Sequence, residues 1–125
     1  MASLPLISVV DDDDAVRQSL QRLIRSAGFA VKVFASAEEF LNSEHLRTTR
    51  CLILDVRMHK MNGLELQRQL RTSHDEIPII FITAHGNETA RSQALKNGAM
   101  AYLHKPFSDE ALLNAIEAAL SLEVI

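Results

Sequence analysis

The sequence has no tryptophan, one cysteine and one tyrosine, and aromatic residues make up only 5% of it. A lone cysteine, Cys51, cannot form an internal disulfide, so the chain is not a disulfide-stapled scaffold and a reducing, cytoplasmic setting fits. Cys51 sits in the apolar run Cys51-Leu52-Ile53-Leu54 and reads as a small buried hydrophobe rather than a reactive thiol. Proline and glycine are sparse, three and four residues, which excludes collagenous and low-complexity chains. No uncharged apolar stretch reaches the ~18 residues that a bilayer-spanning helix needs. The start, Met1-Ala2-Ser3-Leu4-Pro5, lacks the positive region and long apolar run of a signal peptide, so a soluble protein without a membrane partner is expected. Positive charge is not in excess either. Thirteen Lys and Arg against 16 Asp and Glu leave a net charge of −3, so there is no basic field to hold a nucleic-acid backbone.

What is present is the composition of an ordinary globular protein, 47% hydrophobic over 125 residues, which predicts one domain spanning 1–125. Short apolar runs alternate with helical patterns. Leu6-Ile7-Ser8-Val9-Val10 reads as a buried strand that ends abruptly in four aspartates. Val16, Leu20, Leu23, Ile24 and Ala27 then fall on one face of a 3.6-residue period, with Gly28 as the left-handed stop. Residues 30–34 predict a second strand, and Ser36-Ala37-Glu38-Glu39 has the spacing of a helix start that turns Phe40 and Leu41 inward. A third strand over 51–54 delivers Asp55, and a helix over 62–71 carries Leu66 and Leu70 despite its weak Gly63 start. Strand four spans 77–83, with Pro78 tolerable only near its beginning. A helix over 88–97, a short strand over 101–103 and a helix capped by Ser108, with Leu112, Ile116, Ala119 and Leu120 inward, complete five βα units. Strict alternation of this kind implies a parallel sheet with helices on both faces.

Open α/β sheets bind ligands beyond the carboxyl ends of their strands. At those ends stand Asp11-Asp12, Asp55, Thr83 and Lys105-Pro106: an acid cluster, a hydroxyl and a cation. Two unit charges about 4 Å apart repel by roughly 4 kcal/mol at an effective dielectric near 20, so converging carboxylates require counter-charge. Lys105 supplies one, and a divalent cation the rest. Oxygen ligands without a Cys or His cluster point to a hard ion, and few carboxylates with room for water and a phosphoryl oxygen suit Mg²⁺ better than Ca²⁺. Each residue alone has a plainer reading. An aspartate run is an ordinary solvated helix start, Asp55 and Thr83 could serve local turns, and Lys105 could be a surface lysine. Their common placement at strand ends is what favours a site.

The motifs Val9-Val10-Asp11-Asp12-Asp13, Leu54-Asp55-Val56-Arg57-Met58 with Met61-Asn62-Gly63, Ile82-Thr83-Ala84-His85 and Tyr102-Leu103-His104-Lys105-Pro106-Phe107 resemble, in order and over essentially the whole chain, the receiver domain of two-component response regulators. The likeness is greatest to receivers of LuxR/FixJ-type transcriptional regulators. It implies a doubly wound, CheY-like five-stranded sheet in the order 2-1-3-4-5. It also implies a non-enzymatic phosphoacceptor, assisting its own phosphorylation and dephosphorylation, in which Asp55 receives a phosphoryl group from a sensor histidine kinase. By the same resemblance, Asp12 ligates Mg²⁺ directly, Asp11 mainly through water and Arg57 through its backbone carbonyl, while Thr83 and Lys105 hold phosphoryl oxygens. Thr83 and Tyr102 form the switch, and the fourth helix, fifth strand and fifth helix form a phosphorylation-dependent homodimer; of a stand-alone receiver and the regulatory half of a transcription factor, the resemblance favours the second, with transcription controlled through a DNA-binding domain absent from this chain.

Two positions stand out against that family. His59 replaces a frequent proline, which could loosen the loop after Asp55, and Lys105-Pro106 matches a bond commonly cis. The five histidines, His45, His59, His74, His85 and His104, show no regular metal spacing, and only His85, two residues beyond Thr83, suggests a role, in the lifetime of the phosphorylated state. Met58, Met61 and Met100 read as packing residues. An aspartyl-phosphate enzyme of the haloacid-dehalogenase kind needs a second acid two residues after its nucleophile, where Arg57 stands, and nucleotide binding lacks a Gly-rich loop after strand one.

Overall fold

The computed structural model describes residues 4–73, 76–84 and 87–121. Five strands, β1 (Leu6–Val10), β2 (Ala30–Phe34), β3 (Thr49–Asp55), β4 (Ile79–Thr83) and β5 (Ala101–His104), alternate with α1 (Asp14–Ser26), α2 (Ala37–Leu41), α3 (Gly63–Thr72), α4 (Glu88–Lys96) and α5 (Asp109–Ser121). The strands form one parallel sheet in the order β2-β1-β3-β4-β5, as the family resemblance implied. Among the described residues no helix is long and apolar enough to cross a membrane.

Because side chains alternate along a strand, each strand feeds two cores. Ile7, Val9, Cys51, Ile53, Ile80 and Ile82 face one side and pack with Leu20 and Ile24 of α1 and Leu112, Ile116 and Ala119 of α5. Val10, Leu52, Leu54 and Phe81 face the other and pack with Phe40 of α2, Leu66 and Leu70 of α3 and Ala94 of α4. Each fully buried Leu, Ile or Phe contributes about 1.5–3 kcal/mol of hydrophobic stabilisation. Cys51 is fully buried, and Met58, Met61 and Met100 pack against the cores, as expected.

Several boundaries differ from the sequence expectation. The third strand starts earlier, at Thr49, where Thr49 Oγ1 donates to the His45 carbonyl at 2.7 Å and so accepts from Ser8 Oγ at 2.6 Å. This hydroxyl pair lets two buried polar residues sit between β1 and β3, with a register irregularity between Leu6 and Ile7 that absorbs Arg50. The fourth strand starts at Ile79, not 77, since Pro78 has no N–H and joins the sheet only through its carbonyl, which accepts from Leu52 N at 2.9 Å. Ala27 is not part of the inward stripe: it is the exposed C-cap of α1, followed by Gly28 at φ 96°. Helix α3 begins one residue late because Asn62 is its cap, in a reciprocal capping box with Glu65. Helix α4 likewise stops at Lys96 with Asn97 as its cap, and β5 runs one residue further than predicted, to His104.

Candidate functional site

The four-aspartate run divides its labour. Asp13 caps α1, its Oδ1 accepting from the amides of Ala15 at 2.9 Å and Val16 at 3.3 Å, and Asp14 pairs with Arg17 at 3.0 Å. Asp11 and Asp12 are thereby left for the strand end. Asp11 is fully buried just past β1, with Oδ1 accepting from the Asp13 amide at 2.9 Å and Oδ2 from Lys105 Nζ at 3.2 Å. Arg17 braces the same residue from α1, its Nη1 donating to the Asp11 carbonyl at 2.7 Å. The sequence offered no signal for that brace.

Asp55 is the last residue of β3 and nearly buried. Its Oδ1 accepts from the Arg57 amide at 3.2 Å, and its Oδ2 lies 3.7 Å from Lys105 Nζ. One carboxylate oxygen from each of Asp11, Asp12 and Asp55 falls within 4.8 Å of the other two. Burial, reinforced by the negative charge of Asp11, pushes the Asp55 carboxyl up to about 6, with Lys105 pulling in the opposite direction. A carboxyl held there against its neighbours is a site short of positive charge. Three hard oxygen donors on a partly solvated rim, with one ammonium already engaged, fit a small divalent ion that retains water.

Thr83 ends β4 fully buried, and Lys105 is fixed by its own amide, which donates to the Thr83 carbonyl at 2.8 Å. The Lys105–Pro106 bond is cis, as expected. Tyr102 stacks obliquely on Phe81, with ring centroids 6.1 Å apart, and edge-on to His104 at 5.7 Å. Its hydroxyl is buried without a hydrogen-bond partner among the described residues, and burial, with the charge of Asp55, raises its pKa. The structure therefore brings together Asp11, Asp12, Asp55 and Lys105, with Thr83 at the end of β4 and Tyr102 further back in β5, opposite Phe81. Arg57 meets the cluster through its amide on Asp55. His85 lies outside the described residues.

Two features escaped the sequence reading. Gly63 is required by close approach: a Cβ there would collide with the carbonyl oxygen of Asp55, while the Gly63 amide donates to the Val56 carbonyl at 3.0 Å. The loop from Asp55 is thus pinned directly onto the start of α3, and the Asn62-Gly63 pair followed by Glu65 was its only signal. The second is His59, whose backbone N–H donates to Asp12 Oδ2 at 3.3 Å. A proline at 59 has no such donor, so the substitution adds a tie between the loop and the acid cluster where loosening was expected.

Comparison with known proteins follows the same lines. The family model for the response regulator receiver domain matches residues 7–117. Response regulator protein TodT of Pseudomonas putida is 49% identical over 117 residues, which cover 94% of this chain and 52% of that protein. The structure of response regulator StyR superimposes with a TM-score of 0.88 at 49% identity, covering 96% of this chain and 61% of that one. FixJ-N superimposes with a TM-score of 0.85 at 39% identity, covering 97% and 96%. The chain spans about half the length of the curated relatives it matches. Both the match to the family model and the shared sheet order lead to one conclusion: the chain belongs to the response regulator receiver domain family.

Proposed function

We propose that the chain is a phosphorylation-controlled switch in which Asp55 accepts a phosphoryl group from the phosphohistidine of a sensor histidine kinase, in a Mg²⁺-dependent reaction. The observation that carries this reading is the convergence of Asp11, Asp12 and Asp55 within 4.8 Å beside the Lys105 ammonium. An Asp55 carboxylate oxygen bonds to phosphorus, the phosphorus–nitrogen bond of the donor breaks, and its electron pair returns to the leaving imidazole. The Arg57 amide on Oδ1 orients the carboxylate, leaving Oδ2 turned towards Lys105. Asp12, Asp55 and the Arg57 carbonyl would hold Mg²⁺, with Asp11 bonded mainly through water. Once bound there, such an ion would supply neutralising charge for the transferred phosphoryl oxygens, the main demand of phosphoryl transfer. Lys105 and the Thr83 hydroxyl would bind the product oxygens.

Engagement of Thr83 by phosphate would favour the inward Tyr102 arrangement, and the face formed by α4, β5 and α5 would carry the signal as a homodimer. Helix α4 suits that role because Ala94 alone among its residues is fully buried and Leu95 is exposed. Moving such a switch from 1:99 to 99:1 takes about 5.5 kcal/mol of differential binding. Output through a DNA-binding domain, in a cytoplasmic setting, accords with the transcriptional regulators among its relatives. His85 would tune the lifetime of the phosphorylated state, and His85→Ala should change the decay of label.

Mg²⁺-dependent labelling by acetyl phosphate tests the reading. Asp55→Asn should abolish it, and equally fast labelling of that variant would refute the assignment. Sedimentation with beryllofluoride tests the dimer, which an unchanged profile at high concentration would rule out.

A further inference from the structure

We propose that His59 is an additional contact for the divalent cation, which widens the metal preference of the site from Mg²⁺ towards first-row ions that bind imidazole, such as Mn²⁺, Co²⁺ and Ni²⁺. The inference rests on Asp11, Asp12 and Asp55 being a cation site. Its own basis is the loop after Asp55, where Lys60 adopts a left-handed conformation at φ 63° and the chain turns back over the acid cluster. That turn sets the His59 amide on Asp12 Oδ2 at 3.3 Å and its imidazole Nε2 at 4.0 Å from the same oxygen. Two metal–ligand bonds of about 2.1 Å span about that distance, so one ion can touch both atoms. The ring is 97% exposed and the Asp12 side chain 32% exposed, so the imidazole can adjust towards an ion without disturbing the core.

The chemistry of the donor decides which ions gain. Mg²⁺ prefers oxygen and gives up water reluctantly, so an imidazole at the rim adds little for it. Mn²⁺ to Ni²⁺ bind nitrogen progressively better along the Irving–Williams order. An all-oxygen cluster follows the same order with a shallower slope, so a steeper rise from Mn²⁺ to Ni²⁺ is the signature of the added imidazole.

The test is pulsed EPR of Mn²⁺ bound to the domain at pH 8, together with calorimetric titrations of Mg²⁺, Mn²⁺ and Ni²⁺. The wild type should show ¹⁴N modulation from a coordinated imidazole, and His59→Ala, which keeps the backbone amide, should lose it. In the same variant Ni²⁺ affinity should fall about tenfold or more while Mg²⁺ affinity changes less than about threefold. His59→Pro should lose the modulation as well. Bound Mn²⁺ without ¹⁴N modulation, or Ni²⁺ affinity unaltered in His59→Ala, would overturn the role of His59 while leaving the aspartate site standing. Absence of Mn²⁺ and Mg²⁺ binding in the wild type, or binding indifferent to Asp12→Ala, would overturn the cation site and the inference with it.

Discussion

The two faces of the sheet are closed by different means. On one, the 13-residue helices α1 and α5 cover aliphatic rows with aliphatic side chains. On the other, three helices of five, ten and nine residues cover a core that includes the Phe34–Phe40 pair, and α4 is held through polar links. Gln67, buried in α3, donates to the carbonyls of Ala94 at 3.0 Å and Asn97 at 3.4 Å, and Arg71 reaches the Asn97 side chain at 3.1 Å. The site straddles both. Asp55 continues the row of Cys51 and Ile53, and Asp11 that of Ile7 and Val9, on the aliphatic face. Tyr102 belongs to the core on the α4 side, and Thr83 continues the row of Ile79 and Phe81 there. The charged chemistry therefore rests on the face closed by α1 and α5, and the proposed readout on the face where α4 contributes a single buried side chain, Ala94.

That contrast can be broken most directly at Ile116, fully buried in α5. Ile116→Ala should cost about 2–5 kcal/mol in denaturant unfolding and lower amide protection throughout the sheet. A loss confined to α5 would show that the aliphatic face is not one cooperative unit.

Next in size is the charge stored on that face. Because the Asp55 carboxyl is raised from 3.8 to about 6, its contribution to stability is fully present below 3.8 and is lost as pH rises through 6. Asp55→Asn, uncharged and similar in shape, should therefore be more stable than the wild type at pH 8 by about 3 kcal/mol and nearly equal to it at pH 4. Equal midpoints at pH 8 would show that Lys105 already compensates the repulsion. A smaller effect is expected on the other face, where Gln67→Ala should cost about 1–3 kcal/mol and raise hydrogen exchange in α4 before elsewhere. Were it to deprotect α1 and α5 equally, the distinction between the faces would fail. Arg71→Ala, removing an exposed hydrogen bond, should change stability by no more than about 0.5 kcal/mol, measured against Gln67→Ala in the same titration.

The readability of this fold from its sequence follows the same physical division. β1 and β2 are legible to the residue, because short runs rich in apolar and β-branched residues, interrupted only by Ser8 and Lys32, leave few alternatives. β3 hides its first two residues behind Thr49 and Arg50, whose polarity is accommodated by the Ser8–Thr49 hydroxyl pair and a register irregularity rather than by local propensity. The acid cluster is legible because strand ends in a parallel sheet must converge. Gly63 and the His59 amide are not, since both depend on how closely one loop passes over another segment's backbone or carboxylate. Such approaches leave no periodic trace.

The buried hydroxyl of Tyr102 has an optical consequence. With no tryptophan and no other tyrosine in the chain, ultraviolet absorbance and emission above the phenylalanine band come from this one ring. The charge on Asp55 is among the causes that raise its ionisation, so any event that neutralises that carboxylate should make the phenolate easier to form. An alkaline spectrophotometric titration of the unlabelled protein is therefore a voltmeter for the acid cluster, reading its charge from the far side of the sheet edge without an attached dye.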